Sequence, residues 1–235
     1  FTNSNSIPII KTDSLGNIFW DKVFPLSKET SYHIEETTSG DYIMCGLRRD
    51  TSNGIEYPWV CHLDYFSNII WEKTYDTTLI PEYITQTTDG GFIFSNTDWV
   101  WAAGFPILNL SKIDAQGNML WSESYGSGGL SSVQQTLDGG YVVSCISGGY
   151  LRLIKTDNIG DTLFTKEHTN ISAYGCDNCK SFIRNTSDGG YIVSLTSVDT
   201  TSNNFNINIL VVKIDNSGNI TSTFNTPMPS TNRKR

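Results

Sequence analysis

The side chains best suited to ligand contact are Trp99, Trp101, Phe105, Tyr57, Tyr150, Tyr174 and Arg48. Aromatic rings in exposed loops stack on sugar rings or anchor a protein partner. Trp99, Trp101 and Phe105 fall within one short segment and are the sharpest of these candidates. A competing reading has them folding back to plug a channel or cover a sheet edge.

Catalytic chemistry is harder to find. Glycoside hydrolysis needs two converging carboxylates. Glu36 shares a repeat position with Gln86, Gln135 and Asn185, so only one member of that set is acidic. Its neighbour Glu35 points to the opposite face of the same strand. The four read as a structural or water-binding polar ring. His33 and His62 lie on strands away from any nucleophile, and neither a Gly-x-Ser-x-Gly elbow nor a phosphate-cradling glycine loop occurs. No catalytic residue is assigned, and the chain is expected not to be an enzyme.

The five cysteines divide in two. Cys176 and Cys179 share a loop and suit a short disulfide in an oxidising compartment. Cys45, Cys61 and Cys145 fall in predicted strands and read as small core residues. His168 would be a third zinc ligand beside the close pair, but a fourth is missing. No metal and no cofactor are expected.

A formal charge of −8 argues against a nucleic-acid partner, because no basic stripe exists to release counterions. No apolar run reaches the roughly 18 residues of a membrane span. Sparse charge with abundant Ser, Thr, Asn and aromatics suits a β-rich chain that is extracellular or on the cell surface. No secretory signal is visible, so a processed chain or a fragment is expected.

The elements that position these residues are repeats. The phrase Lys112-Ile-Asp114-Ala-Gln-Gly117-Asn-Met-Leu-Trp121 returns from Lys11, His62, Lys155 and Lys213. It alternates with Thr87-Thr-Asp-Gly-Gly-Phe-Ile-Phe94, echoed from Thr37, Thr136 and Thr186, at spacings of 50, 49 and 50 residues. Each phrase is a turn between two apolar runs with strand-like composition. Four strands per unit at this period predict an all-β protein, a β-propeller of four-stranded antiparallel blades. There are four full repeats and an N-terminal half-repeat, making about five blades or part of a larger ring. The domain is expected over residues 1–225, with repeats at 7–24 (partial), 30–75, 81–125, 130–168 and 181–224. Residues 226–235 read as a tail or linker.

The first phrase resembles two propeller signatures, the tryptophan docking motif of quinoprotein-type propellers and the Asp-box of sialidase-like ones. Asp13-Gly16-Trp20 and Asp114-Gly117-Trp121 fit best; Asp64, Trp71, Asp157, Phe164 and Asp215 are the partial matches. The resemblance implies that Asp and Gly shape the turn between strands three and four, and that the aromatic residue wedges against the next blade. Ser67, Phe164 and Ser222 depart from the pattern. The repeat is most similar to repeats in secreted bacterial surface proteins. The resemblance carries no quinone and no sialidase centre.

In a propeller the repetitive turns occupy one face, so binding belongs to the other, which carries the two-to-three loops and the connections from one blade to the next. The expected function is a secreted or cell-surface, non-catalytic module that binds protein or glycan. The alternatives are a self-associating structural repeat of an extracellular assembly and a glycan-active hydrolase or lyase.

Overall fold

The computed structural model describes residues 7–24, 29–77, 79–100, 105–173, 180–199 and 206–227. Among them every regular element is a β-strand. A two-stranded sheet, β1 (Ile7–Thr12) and β2 (Ile18–Phe24), comes first. Four four-stranded sheets follow in chain order. The first holds β3 (Glu29–Glu36), β4 (Tyr42–Arg49), β5 (Glu56–Leu63) and β6 (Ile69–Thr74). The second holds β7 (Ile80–Gln86), β8 (Phe92–Val100), β9 (Phe105–Ile113) and β10 (Met119–Ser127). The third holds β11 (Gly129–Gln135), β12 (Tyr141–Ser147), β13 (Tyr150–Thr156) and β14 (Thr162–Ser172). The last holds β15 (Ser181–Asn185), β16 (Tyr191–Asp199), β17 (Asn206–Ile214) and β18 (Ile220–Pro227). The expected hairpin and four four-stranded repeats are what the chain forms. Some limits differ: β14 runs on to Ser172, and β18 takes in Thr226 and Pro227, which pair with Ile209 and Asn208 rather than opening a tail.

Burial explains the strand sequences. The second strands of the first three four-stranded sheets are buried on both faces, so Ile43–Leu47 of β4 and Tyr141–Cys145 of β12 are almost continuously apolar, whereas β16 alternates and leaves Ile192 exposed. Outer strand β6 alternates too, with Trp71 and Lys73 turned inward and their neighbours exposed. The chain divides into two compact units, residues 1–98 with 111–122 and residues 99–110 with 123–235. In the first, Ile43, Cys45, Val60, Ile84, Phe92 and Phe94 form a core against which Trp71 packs. In the second, the core gathers Leu151, Leu153, Ile183, Val193 and Val212, with Phe164 packed on it.

Four of the five turns at the repeated Asp-Gly-Trp phrase share one construction, and the turn at Asp157, with Asp161 in place of the asparagine, keeps only its backbone bonds. Oδ1 of Asp64 accepts from the backbone N–H of Phe66 (2.9 Å) and Asn68 (2.7 Å), and Oδ2 accepts from the Asn68 side chain (2.8 Å). Asp13, Asp114 and Asp215 do the same with Asn17, Asn118 and Asn219. These bonds favour the charged carboxylate, and hold all four aspartates below their usual range. The glycine of the phrase has a second task. A Cβ on Gly117 would lie 2.8 Å from the Trp71 ring, and one on Gly218 2.8 Å from the Phe164 ring. Each glycine therefore seats the aromatic residue of the preceding repeat. Trp71 completes the joint by donating its indole N–H to Ala115 O at 3.0 Å, as Trp20 does to Tyr65 O at 3.0 Å. Tyr75 and Tyr125 add hydroxyl donations to the carbonyls of Gly117 (3.0 Å) and Gly160 (2.7 Å). Burial raises the pKa of both tyrosines.

The Asp-Gly-Gly turns are clamped by the lysine that opens the other phrase. Lys112 Nζ lies 2.9 Å from Asp89 Oδ2, Lys155 2.9 Å from Asp138 Oδ2, and Lys213 2.7 Å from Asp188 Oδ1. Thr87, Thr136 and Thr186 donate their hydroxyls to the same aspartates. The two glycines differ in purpose. Gly139 has φ +84°, whereas Gly140 is required by space: its Cβ would stand 2.2 Å from Thr156 O and 2.7 Å from Lys155 Nζ. A conformational need and a packing need thus sit side by side.

Candidate functional site

A cavity of about 590 Å³ opens at the end of β4 and β5, lined by Arg48, Arg49, Asp50, Thr51, Tyr57, Thr74, Tyr75 and Asp76. The register of the two strands sets Arg48 directly across from Tyr57. The connecting loop is fixed by its own side chains. Asp50 Oδ1 accepts from the Ser52 hydroxyl (2.6 Å) and backbone N–H (2.8 Å), and Asn53 Oδ1 from Ile55 N–H (2.8 Å). Asn53 then donates to the Tyr57 hydroxyl at 3.2 Å. These Asx-type bonds are what a polar Asp-Thr-Ser-Asn-Gly run provides, and they hold Tyr57 in place before any ligand arrives.

Arg48 is held from beneath. Its guanidinium meets Glu72 at 2.6 Å and lies 5.1 Å from the Trp59 ring centroid. Trp59 is fully buried and donates its indole N–H to the same Glu72 oxygen at 3.4 Å. The bond from Arg48 is the main reason the Glu72 carboxyl sits below its usual range. Asp50 is lowered as well, chiefly by the Ser52 hydroxyl. The cavity therefore offers guanidinium donors, carboxylate and hydroxyl groups, and two phenol rings, with its charges already neutralised in part by neighbours. Such a set recognises a polar ligand through forked hydrogen bonds and ring contact.

Of the aromatic and basic candidates, Arg48 and Tyr57 meet here. Phe105 belongs to the other unit, where it is exposed at the start of β9. Tyr150 is half-buried in that unit and opens β13, paired with Ser147 across a two-residue turn, so it is a strand residue rather than a loop residue. Trp99 is corrected likewise: β8 continues through Val100, because this stretch pairs as strand beyond the expected loop start at Asp98. The Trp99 side chain, Trp101, Tyr174, Cys176 and Cys179 lie outside the described residues. Cys45, Cys61 and Cys145 are buried thiols, and among the described residues no three His, Cys, Asp or Glu side chains gather as a metal site would require.

Glu35 accepts from Thr85 Oγ1 at 2.5 Å and from Tyr83 Oη at 3.1 Å, tying β3 to β7. Gln86 accepts from the Thr38 N–H (2.8 Å) and hydroxyl (2.9 Å), and Asn185 donates to Gln135 O at 2.7 Å. Gln86 and Asn185 thus link one repeat to the next, while the Gln135 side chain donates within its own turn to Gly139 O at 3.1 Å. The residues not singled out in sequence were Thr74, Tyr75 and Asp76, which line the cavity, and Trp59 and Glu72, which brace Arg48 through cross-strand register. No spacing in the chain encodes that register. The alternation of β6 was the available signal for Glu72 and Thr74, which share its exposed face opposite Trp71 and Lys73.

No protein-family model and no curated protein matches this chain. Solved structures do. A protein of unknown function from Bacteroides caccae is similar over 95% of this chain and 91% of its own, at 12% identity and a TM-score of 0.55. The Dos1 propeller is similar over 95% of this chain at 12% identity and a TM-score of 0.60, and this chain spans about 55% of its length. At such identity the likeness concerns fold alone, and the fold is propeller-like, built from four-stranded antiparallel sheets. No described helix is long and apolar enough to cross a membrane.

Proposed function

We propose that the chain is a non-catalytic binding module, extracellular or on the cell surface, that holds a glycan in the cavity between Arg48 and Tyr57. The carrying observation is the pre-set cavity itself: Tyr57 and Arg48 are each fixed by second partners, and Arg49, Thr51, Thr74 and Asp76 offer the hydrogen bonding that sugar hydroxyls take. The carboxylates support binding rather than hydrolysis. A glycosidase acid needs a raised pKa, and Asp50 is held low by Ser52 while Glu35 is tied to Thr85 and Tyr83.

The test is a glycan array followed by titration of the best binder against Tyr57→Ala and Arg49→Ala. Each substitution is expected to weaken binding about tenfold or more, with the unfolding midpoint little changed for Arg49→Ala. A glycan bound equally well by both variants removes this reading. Retention of a protein ligand through the same two residues, with no glycan bound, would transfer the cavity to protein recognition.

A further inference from the structure

The opening two-stranded sheet is, by register, the outer half of a four-stranded one. Lys11 of β1 pairs with Trp20, as His62 pairs with Trp71, Lys155 with Phe164 and Lys213 with Ser222. In each case the register slips at the next residue, at Lys11/Thr12, His62/Leu63, Lys155/Thr156 and Lys213/Ile214. β1 therefore corresponds to strand three and β2 to strand four.

Among the described residues β1 pairs only with β2, and two things follow. The residue before the lysine position is 0% exposed as Cys61, Ile154 and Val212 and 1% as Ser111, but 56% exposed as Ile10. The lysine itself also has different company. Lys112, Lys155 and Lys213 meet the aspartate of an Asp-Gly-Gly turn, whereas Lys11 donates to the Tyr42 hydroxyl and lies 3.7 Å from the Tyr65 ring centroid.

We propose that the edge of β1 is a docking site for an inner β-hairpin of the repeat's own type, one whose Thr-x-Asp-Gly-Gly turn sets its aspartate on Lys11. The occupant follows from the other sheets. In them the strand after the turn pairs with strand three, so Val142 faces Lys155 and Ile192 faces Lys213. It also covers the residue that β1 leaves exposed as Ile10. A second copy of this chain is a poor donor, because its four inner hairpins, β3–β4, β7–β8, β11–β12 and β15–β16, are each paired in their own sheets. The occupant is a hairpin other than these four, recognised by backbone pairing along β1 and by one carboxylate.

The probe is a peptide with the sequence of residues 181–199, which contains the turn and no cysteine. It is added to the intact chain and also joined in cis ahead of Phe1, since an isolated hairpin is only marginally ordered. Expected are slowed hydrogen exchange at Ile9–Thr12 in both arrangements and a higher midpoint for the fusion. Asp188→Asn in the added hairpin, or Lys11→Met in β1, should reduce the effect about tenfold in affinity. Unprotected β1 amides in the fusion would overturn the proposal. So would full protection of β1 before any hairpin is added, or self-association that protects β1, which would make the second copy the occupant. Glycan binding at Arg48 and Tyr57 is read separately and decides nothing here.

Discussion

The three lysine-clamped turns and the first full sheet close the same joint with different ionisable groups. At β11–β12, Asp138 faces Lys155, and Gly140 leaves room for the backbone of Thr156. At β3–β4 all three positions change together: Ser39 stands for the aspartate, Asp41 for the second glycine, and His62 for the lysine. The backbone bonds persist, with Thr37 N–H donating to Asp41 O at 2.8 Å as Thr136 N–H does to Gly140 O at 2.9 Å. The carboxylate has moved two residues along the turn, and its counter-group is now a ring set edge-on to Trp71 and Phe92. His62 Nε2 is 3.9 Å from Asp41, and among the described residues neither of its ring nitrogens has a hydrogen-bond partner. The clamp is thus a group of three residues rather than a set of independent positions, and hydrophobic packing can replace most of its charge.

The sharpest way to break the comparison is Gly140→Ala. Its Cβ would stand 2.2 Å from a backbone oxygen that cannot rotate away, so a loss of about 3 kcal/mol or more is expected, at the upper end of single substitutions. Gly139→Ala next to it meets open space and bears only the left-handed conformation, about 1–2 kcal/mol. Urea unfolding of the pair separates space from conformation. Equal losses would mean that the second glycine is not there for the close approach.

A smaller effect comes from pH. Burial lowers the His62 pKa more than Asp41 raises it. The folded state therefore favours the neutral ring, and the unfolded chain binds the extra proton first. His62 supports stability fully above its unfolded pKa near 6.5, and that support is lost as pH falls from there through the lower folded value. Rebuilding the clamp with Ser39→Asp, Asp41→Gly and His62→Lys should flatten the midpoint between pH 7 and 5 relative to the parent. His168, also lowered mainly by burial, contributes a slope of the same sign to both proteins and cancels in the difference. An undiminished slope would place the titration elsewhere.

These particulars show what was legible in the chain. The strands, the turns and the half-repeat follow from local chemistry repeated at a fixed period, and a glycine or an Asx residue announces its own turn. The lysine clamp does not announce itself. Lys112 and Asp89 are 23 residues apart, Lys155 and Asp138 17, Lys213 and Asp188 25, so their meeting depends on strand order. The one trace in sequence is that lysine and aspartate disappear together in the first full repeat. The cavity is intermediate. Arg48 and Tyr57 stood out by type, but Glu72 and Trp59, which brace Arg48, come together only once β5 and β6 lie in register, with Trp59 opposite Thr74 and Cys61 opposite Glu72.

The turn at Asp64 allows the smallest and cleanest comparison. Ser67 has φ 68°, where its counterparts Gly16, Gly117 and Gly218 have φ 84°, 78° and 80°. A left-handed L-residue costs about 1–2 kcal/mol, while glycine gives back about 0.4–1 kcal/mol through the freer unfolded chain. Ser67→Gly should therefore stabilise by about 0.5–1 kcal/mol, and Ser67→Ala should leave stability nearly unchanged because it keeps the Cβ. The reciprocal Gly117→Ser should cost more than the conformational penalty alone, since its Cβ falls 2.8 Å from the Trp71 ring. If Ser67→Gly instead destabilises, the hydroxyl rather than the backbone governs this turn. The first repeat would then differ from its siblings by an added contact, not by a tolerated strain.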